Sequence, residues 1–510
     1  MAKVKRIVIA LFFALTTSFI AHAADAPIKA GKIRIGLDSL PLSFGNPFRT
    51  AQIPTTYFTS AIFDGLTHIE LNGTLKPRLA TRWESVDATT WRFVLRDDVV
   101  FSNGTPFTAE AVKVAVDYLA SEEAVREGLV REIPALKSAR VIDEHTIDIT
   151  LAEPDAQFPR SAAALPAVEP NEWLRLGREA FSKSPVGTGP YKLVEWQANR
   201  ALLSAHETSW RRAKTRDLEI VIIPEATSRA QALMADRIDI AVGLSPDMVK
   251  SVESEGGQAV RIPTAQVWGW AFVLMREGKP VDSPLQDKRV RQAMTMAVNR
   301  QLIVDTLLDG AARVAGQGAT RAVYGYNPDI TPFAYDPAAA KKLLAEAGYP
   351  NGFEMSVLST AGSAGADAEI HQRLAADLAV IGIKAEVRSA PMQQYLQHLS
   401  LGTMPTDAFG MSYPADPNID AIRPLRIHSC LRRQPFYCDE RIMPKIKATL
   451  VSRDPTQALN LRREILAWYH DEAPMLFVYE GVRFTGLAAK VRGFGEAHGF
   501  IAYDQIEIVD

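Results

Sequence analysis

Ser184-Pro185-Val186-Gly187-Thr188-Gly189-Pro190-Tyr191-Lys192-Leu193-Val194-Glu195-Trp196 sets two glycines and two prolines within six residues and then alternates. Such punctuation marks a tight, irregular loop, and Tyr191 and Leu193 facing one way with Lys192 and Val194 the other mark a strand. A glycine-rich loop can cradle phosphate. This one runs into a strand rather than a helix, and it lacks both the third glycine and the Gly-Lys-Ser/Thr ending that such a cradle needs.

Working outward, further segments fall in a fixed order: Phe63-Asp64-Gly65-Leu66, then Trp91-Arg92-Phe93-Val94-Leu95-Arg96 with Asn103-Gly104-Thr105-Pro106-Phe107-Thr108-Ala109-Glu110. Ile238-Asp239-Ile240-Ala241 and Val290-Arg291-Gln292-Ala293 follow. Together with the opening stretch, which resembles a "PVGTGPYK-V-W" signature, they resemble the "YEGL", "W-F-LR…F-DGTPFTAEDV", "G-ID-A" and "VRQA" segments of extracytoplasmic solute-binding proteins of family 5. These are the peptide/nickel-type substrate-binding proteins of ABC importers, similar to dipeptide- and oligopeptide-binding proteins. The resemblance implies an α/β protein of the two-lobed, type II periplasmic-binding fold of the large peptide-binding type, with an inserted third α+β domain. It implies a peptide or other small-molecule ligand, a monomer, and ABC permease subunits in the inner membrane as partner.

Length and composition agree with several domains and an ordinary folded interior: 510 residues, 47 % hydrophobic and 23 % charged. Residues 1–23 read as a signal peptide, with Lys3, Lys5 and Arg6, an apolar run from Ile7 to Ile20, and Ala21-His22-Ala23 as cleavage site. The run falls short of the ~20 residues that span a bilayer. Ala24 follows the cleavage site where a lipid-anchored protein has cysteine, so the expected location is the periplasm. Removing three basic residues and no acidic ones takes the net charge from −2 to −5. A mildly acidic chain without basic runs argues against nucleic acid as partner.

Periodicity gives the domain plan. Residues 24–55 open lobe I with the alternating strand at Ile33 and Ile35; 56–183, rich in hairpins, form the inserted domain; 184–266 return to lobe I. Residues 267–479 form lobe II, and 480–510 go back to lobe I, as the resemblance implies. Thr108 is expected to cap a helix with Val112, Ala115, Val116 and Leu119 on one stripe. Leu218–Pro224, a helix from Thr227 to Ala235, and Ile238–Val242 form a strand–helix–strand unit. In lobe II, Asn299 starts a helix that Gly310 ends, and Asp336-Pro337 opens another that Gly348 and Pro350 close. A second strand–helix–strand unit covers 353–387.

No nucleophile elbow, H-E-x-x-H or P-loop is present, so a secreted hydrolase, the reading from a different class, has no motif behind it. No cofactor and no metal site is read: the nine histidines are scattered, and a Cys-x7-Cys spacing is not a zinc signature. The candidate ligand-binding residues are Tyr57, Trp268, Trp270, Tyr413 and Asp416. Alternation across Gly269 puts the two indoles on one face, as an aromatic wall of the cleft or as packing beneath the hinge. Tyr57 reads equally as a core aromatic. The loop Gly410–Asn418 resembles the family's cleft-facing "GW--D---DPDN" loop, in a shortened form. Tyr413 and Pro414 stand near its expected acid, and Asp416 matches its later Asp-Pro, where it also reads as a turn residue.

Peptide-binding relatives receive the ammonium on that acid, and dipeptide binders receive the carboxylate on an arginine in a region occupied here by Ser359–Gly365, which has none. Free dipeptides are therefore expected to bind weakly. The alternatives within the binding class are a chelated metal of the nickel type and a sugar- or opine-type conjugate.

Cys430 and Cys438 are the two cysteines, eight positions apart, and an oxidising compartment favours their pairing. Closing that loop removes about 2.5 kcal/mol of unfolded-state freedom. Alkylation of the denatured, unreduced protein should label no thiol; two labelled cysteines would refute the bridge.

Overall fold

The computed structural model describes residues 27–41, 43–360 and 366–509. The leader read at 1–23, and residues 361–365 of the stretch lacking an arginine, lie outside the described residues. No described helix is long and apolar enough to cross a membrane.

The first lobe grows from Lys29–Leu37, whose alternating Ile33, Ile35 and Leu37 are buried. This strand pairs in parallel with Thr215–Ile222 on one side and Ile240–Leu244 on the other. The helix Ala226–Met234 connects the two flanking strands. Arg200–Ala205 and Tyr191–Gln197 extend the sheet antiparallel. The second lobe repeats the logic: Glu354–Ser359 pairs in parallel with Lys384–Ser389 across the helix Asp367–Ala379, and with Ala408–Pro414 on its other edge.

Its helix starts follow side-chain chemistry. Asn299 accepts from the Leu302 amide at 3.0 Å and Asp336 from the Ala339 amide at 2.9 Å, satisfying first-turn donors that the helix cannot. Thr108 behaves differently. It precedes the helix Ala109–Leu119 in extended geometry, but its side chain makes no cap bond. The Glu144 carbonyl takes the Ala109 amide at 2.8 Å, so a neighbouring turn does the capping.

Two strands run through both lobes. Gln258–Phe272 and Met475–Leu487 pair antiparallel along most of their length, with irregular register between Pro263 and Val267. The first also pairs with Ala408–Pro414, and the second with Ile240–Leu244. All of these strands therefore belong to one continuous sheet, eleven-stranded among the described residues. A separate antiparallel sheet of four strands, between Ala80 and Leu151, packs its Phe93, Ile147 and Ile149 into the core of the first lobe. Cys430 and Cys438 are disulfide-bonded, with Cα atoms 4.6 Å apart.

The punctuated loop acts by close approach. Neither Gly187 nor Gly189 has a left-handed φ; instead, a Cβ on Gly187 would sit 2.1 Å from the Ile62 carbonyl oxygen, and one on Gly189 2.6 Å from that of Ala61. The Gly189 amide donates to the Ile62 carbonyl at 2.8 Å. Between the glycines, Thr188 donates to the fully buried Asp64 at 2.9 Å. Asp64 also accepts from Arg78 at 2.8 Å, Trp210 at 3.1 Å and Arg211 at 3.0 Å. Burial pushes this carboxyl up, but Arg211, Arg78 and the Thr188 hydroxyl outweigh it and bring it to about 2.

Asp64→Asn should therefore destabilise the protein by about 3–5 kcal/mol, because two buried guanidinium groups lose their counter-charge. The ionised carboxylate contributes fully above the ordinary value of 3.8 and is lost as pH falls toward 2, a change of about 2 kcal/mol. Urea unfolding at successive pH values should show the gap between wild type and variant narrowing from pH 4 to pH 2; a constant gap would show that the charge is not what matters.

Candidate ligand-binding cleft

Where the crossing strands pass between the lobes, they floor a cavity of about 910 Å³. Thr264, Gln266 and Trp268 reach it from one strand, Tyr479 and Arg483 from the other. The first lobe adds Asp38 and Glu225, the helix Thr55–Ile62 adds Tyr57, and the second lobe adds Asp367, Met392 and Tyr395. The size suits a ligand at the upper end of the small-molecule range or beyond it.

Tyr57, Trp268 and Asp416 all line the cavity. Tyr57 is buried and donates to Glu496 at 3.0 Å, so its hydroxyl proton is already engaged. Trp268 is half-buried, and its indole N–H has no hydrogen-bond partner among the described residues. Asp416, joined to Pro417 by a cis peptide bond, accepts from Gln266 at 3.3 Å.

Trp270 and Tyr413 are placed elsewhere. Trp270 packs on the same core cluster as Trp268, but the helix Asp367–Ala379 covers it, and its N–H donates to His371 at 2.8 Å. Gly410, Met411, Ser412 and Pro414 of its strand line the cavity, but Tyr413 does not: it is buried, stacked on His428 at 4.0 Å between ring centroids and edge-on to Phe477. Neither reaches the cavity wall.

The charged groups of the cleft were not legible as a motif. Arg423 lines it from the short helix Arg423–Arg426, with a single 3.4 Å bond from its guanidinium to the Pro414 carbonyl. Burial lowers it from its ordinary value, with Glu132 and Asp416 acting against that. Arg483 is ion-paired with Glu496, and its guanidinium lies 5.8 Å from the Tyr57 ring. Burial disfavours its charge, but Tyr57, Glu496 and Asp416 more than offset this and hold it above the usual arginine value. An arginine inside the apolar run Met475–Leu487 was the available signal for Arg483. For Arg423 the signal was weaker: an arginine seven residues beyond Asp416.

The loop that presents Asp416 and Arg423 is anchored from beneath. Arg462 grips the buried Asp420 with bonds of 2.9 and 2.8 Å, and Arg160 donates to the Asn418 and Ile419 carbonyls at 2.8 and 3.2 Å. Among the described residues, the one grouping of cysteine, histidine and acidic side chains close enough for a metal is Cys430, Cys438 and Glu440, and both of its sulfurs are in the disulfide.

Two lobes joined by crossing strands around a cleft lined by both polar and apolar side chains define a solute-binding protein that works by capture. Residues 74–421 match the family described as bacterial extracellular solute-binding proteins, family 5 middle, and the chain belongs to that family. It is 28 % identical over 492 residues to the nickel-binding periplasmic protein of Escherichia coli, covering 90 % of each chain. It is 26 % identical over 488 residues to heme-binding protein A of Haemophilus influenzae, covering 89 % of this chain and 88 % of that one. In fold it is similar to the dipeptide binding protein of Pseudoalteromonas sp. SM9913 solved with Met-Leu, at a TM-score of 0.76 and 20 % identity, covering 94 % of this chain and 100 % of that one. The family assignment sets the chain among binding proteins rather than secreted hydrolases.

Removing one partner of a buried pair leaves the other charge stranded. Arg462→Met should thus cost about 3–5 kcal/mol in urea unfolding, and adding Asp420→Leu should recover much of it. A double variant no more stable than the single one would show that the pair is not the anchor.

Proposed function

We propose that this chain is the periplasmic, monomeric binding component of an ABC importer, exported by cleavage after Ala23. In this reading it captures a peptide or peptide-like ligand that carries a carboxylate, and delivers it to the membrane permease without turning it over. The lobe boundaries fall at 266/267 and 479/480, within the two crossing strands, so that bending there closes the cleft over the ligand.

Arg423 carries the reading. A half-buried guanidinium with one weak hydrogen bond retains donor capacity directed at the cleft, and a carboxylate is the group that matches its fork geometry. Trp268 offers a flat apolar face and an unpaired N–H; Asp416 stands ready for an ammonium group or an amide. The arginine missing from the 359–365 stretch thus has a counterpart elsewhere in the cleft. A cavity of about 910 Å³ leaves a dipeptide loosely held, which keeps the expectation that simple dipeptides bind weakly. An opine-type conjugate or an organic metal chelate presents the same carboxylate chemistry, and native mass spectrometry of the gently purified protein would identify such a cargo.

Calorimetric titration with tripeptides and their C-terminal amides tests the reading. The free acids should bind more tightly than the amides, and Arg423→Gln should remove about 2–5 kcal/mol of affinity for the acids and little for the amides. Amides binding as tightly as acids, or an indifferent Arg423→Gln, would overturn it. Ligand at a hundredfold excess over Kd should add about 2.7 kcal/mol of stability and reduce the radius of gyration in solution scattering.

A further inference from the structure

Beside the main cleft lies a second, smaller cavity of about 120 Å³, and Ala51, Thr56 and His498 line both. These three residues form a neck. The helix Thr55–Ile62 is the partition: Thr56 and Tyr57 face the cleft, while Thr59 and Ser60 face the annex. Beyond the neck the walls are mostly apolar, from Phe63, Ile69, Ala163, Ala164 and Phe500.

The floor has a defined chemistry. Arg78 and Asp64 contribute there and are ion-paired at 2.8 Å, with Arg78 Nη2 left without a hydrogen-bond partner among the described residues. His68 is not committed: neither ring nitrogen has a hydrogen-bond partner among the described residues, and the ring packs on Phe500 with centroids 5.1 Å apart. Burial, together with Arg78 and Arg211, brings the imidazole down to about 3, so it is neutral and holds one donor and one acceptor. At the neck, Thr56 Oγ1 and His498 Nδ1 also lack partners, although His498 Nε2 lies 3.1 Å from the Glu70 carbonyl. Thr56 Oγ1, His498 Nδ1 and Arg78 Nη2 are buried polar atoms without a hydrogen-bond partner among the described residues, and because buried polar groups are normally satisfied, this lining retains capacity for a polar group.

We propose that this annex is a specificity subsite that admits an uncharged, ring-sized side chain of the captured ligand, with His68 available to a hydroxyl at its tip. The proposal rests on the peptide-like reading of the main cleft. The volume is close to that of apolar cavities of about 150 Å³ that bind benzene. A lysine or arginine side chain would have to lose its hydration beside Arg78 and a neutral imidazole. A carboxylate would find the Arg78 charge already offset by Asp64. Phenylalanine- and tyrosine-type groups fit both the space and the chemistry.

The test uses the whole mature protein and two probes. The first is a set of tripeptides of alanine with one Phe, Tyr, Lys or Glu placed at each position in turn, titrated calorimetrically. The second is 4-fluorophenol, followed by fluorine NMR. At one position Phe and Tyr should bind at least tenfold tighter than Ala, Lys and Glu. Ala163→Leu or Ala164→Leu, which fill the annex, should abolish that preference while leaving trialanine affinity unchanged. His68→Leu should remove any margin of Tyr over Phe. The fluorophenol signal should broaden with wild type and not with the filled variants.

An aromatic preference that survives in both filled variants, or that is absent at every position, overturns the annex even if tripeptides bind. Fluorophenol binding that is lost on filling, with no tripeptide bound at all, supports the annex and sinks the peptide reading instead. Using two filling variants guards against one that fails to fold.

Discussion

A single buried carboxylate ties together segments that lie far apart in the chain. Asp64 draws Thr188 from the punctuated loop, Arg78 from just past the strand Leu75–Pro77 and Trp210 and Arg211 from the segment after the loop's strand. Arg211 in turn is ion-paired with Asp504 of the tail. A charge in a low-dielectric interior is tolerable only when every neighbour supplies a donor or counter-charge, so the position of each contributing segment is fixed by the same requirement. The glycines of the loop serve this arrangement: without side chains they let Thr188 approach the end of the helix Thr55–Ile62 closely enough to reach Asp64.

That helix then has two duties. One face closes on the loop glycines; the other presents Tyr57 to the cleft and Thr56 to the neck of the annex. The site is thus built against an element whose placement the buried ion cluster determines. The other wall, the loop around Asp416, is secured by Arg462 and Arg160 in the same manner, through guanidinium groups that satisfy a carboxylate and main-chain carbonyls. Between these rigid walls the paired crossing strands, with their irregular register near Pro263, are the place where bending disturbs the fewest regular hydrogen bonds.

Much of the fold was legible because local rules carry it. Alternation marked Ile33 and Ile35, a helical stripe marked Val112, Ala115, Val116 and Leu119, and Asn299 and Asp336 announced helix starts that the structure builds through their side chains. Thr108 shows the limit of the same rules. Its type and position suit a cap, yet the Glu144 carbonyl, from a turn more than thirty residues away, satisfies the helix instead. For the cleft, sequence reasoning favoured aromatic residues because they are conspicuous. Trp270 and Tyr413 turned out to be enclosed by the helix Asp367–Ala379 and by His428 with Phe477.

By itself, then, the sequence determined which segments are strands and helices, their order, the pairing of Cys430 with Cys438, and the family, since each of these rests on spacing, composition or local chemistry. Only the tertiary structure decided that Arg423 and Arg483 line the cleft while Trp270 does not, that Gly187 and Gly189 are required by a carbonyl rather than by their φ angles, and that His68 lines a second cavity. The reason is physical. Which face of an element meets solvent, core or cleft depends on what is packed against it, and those partners lie tens to hundreds of residues away in the chain.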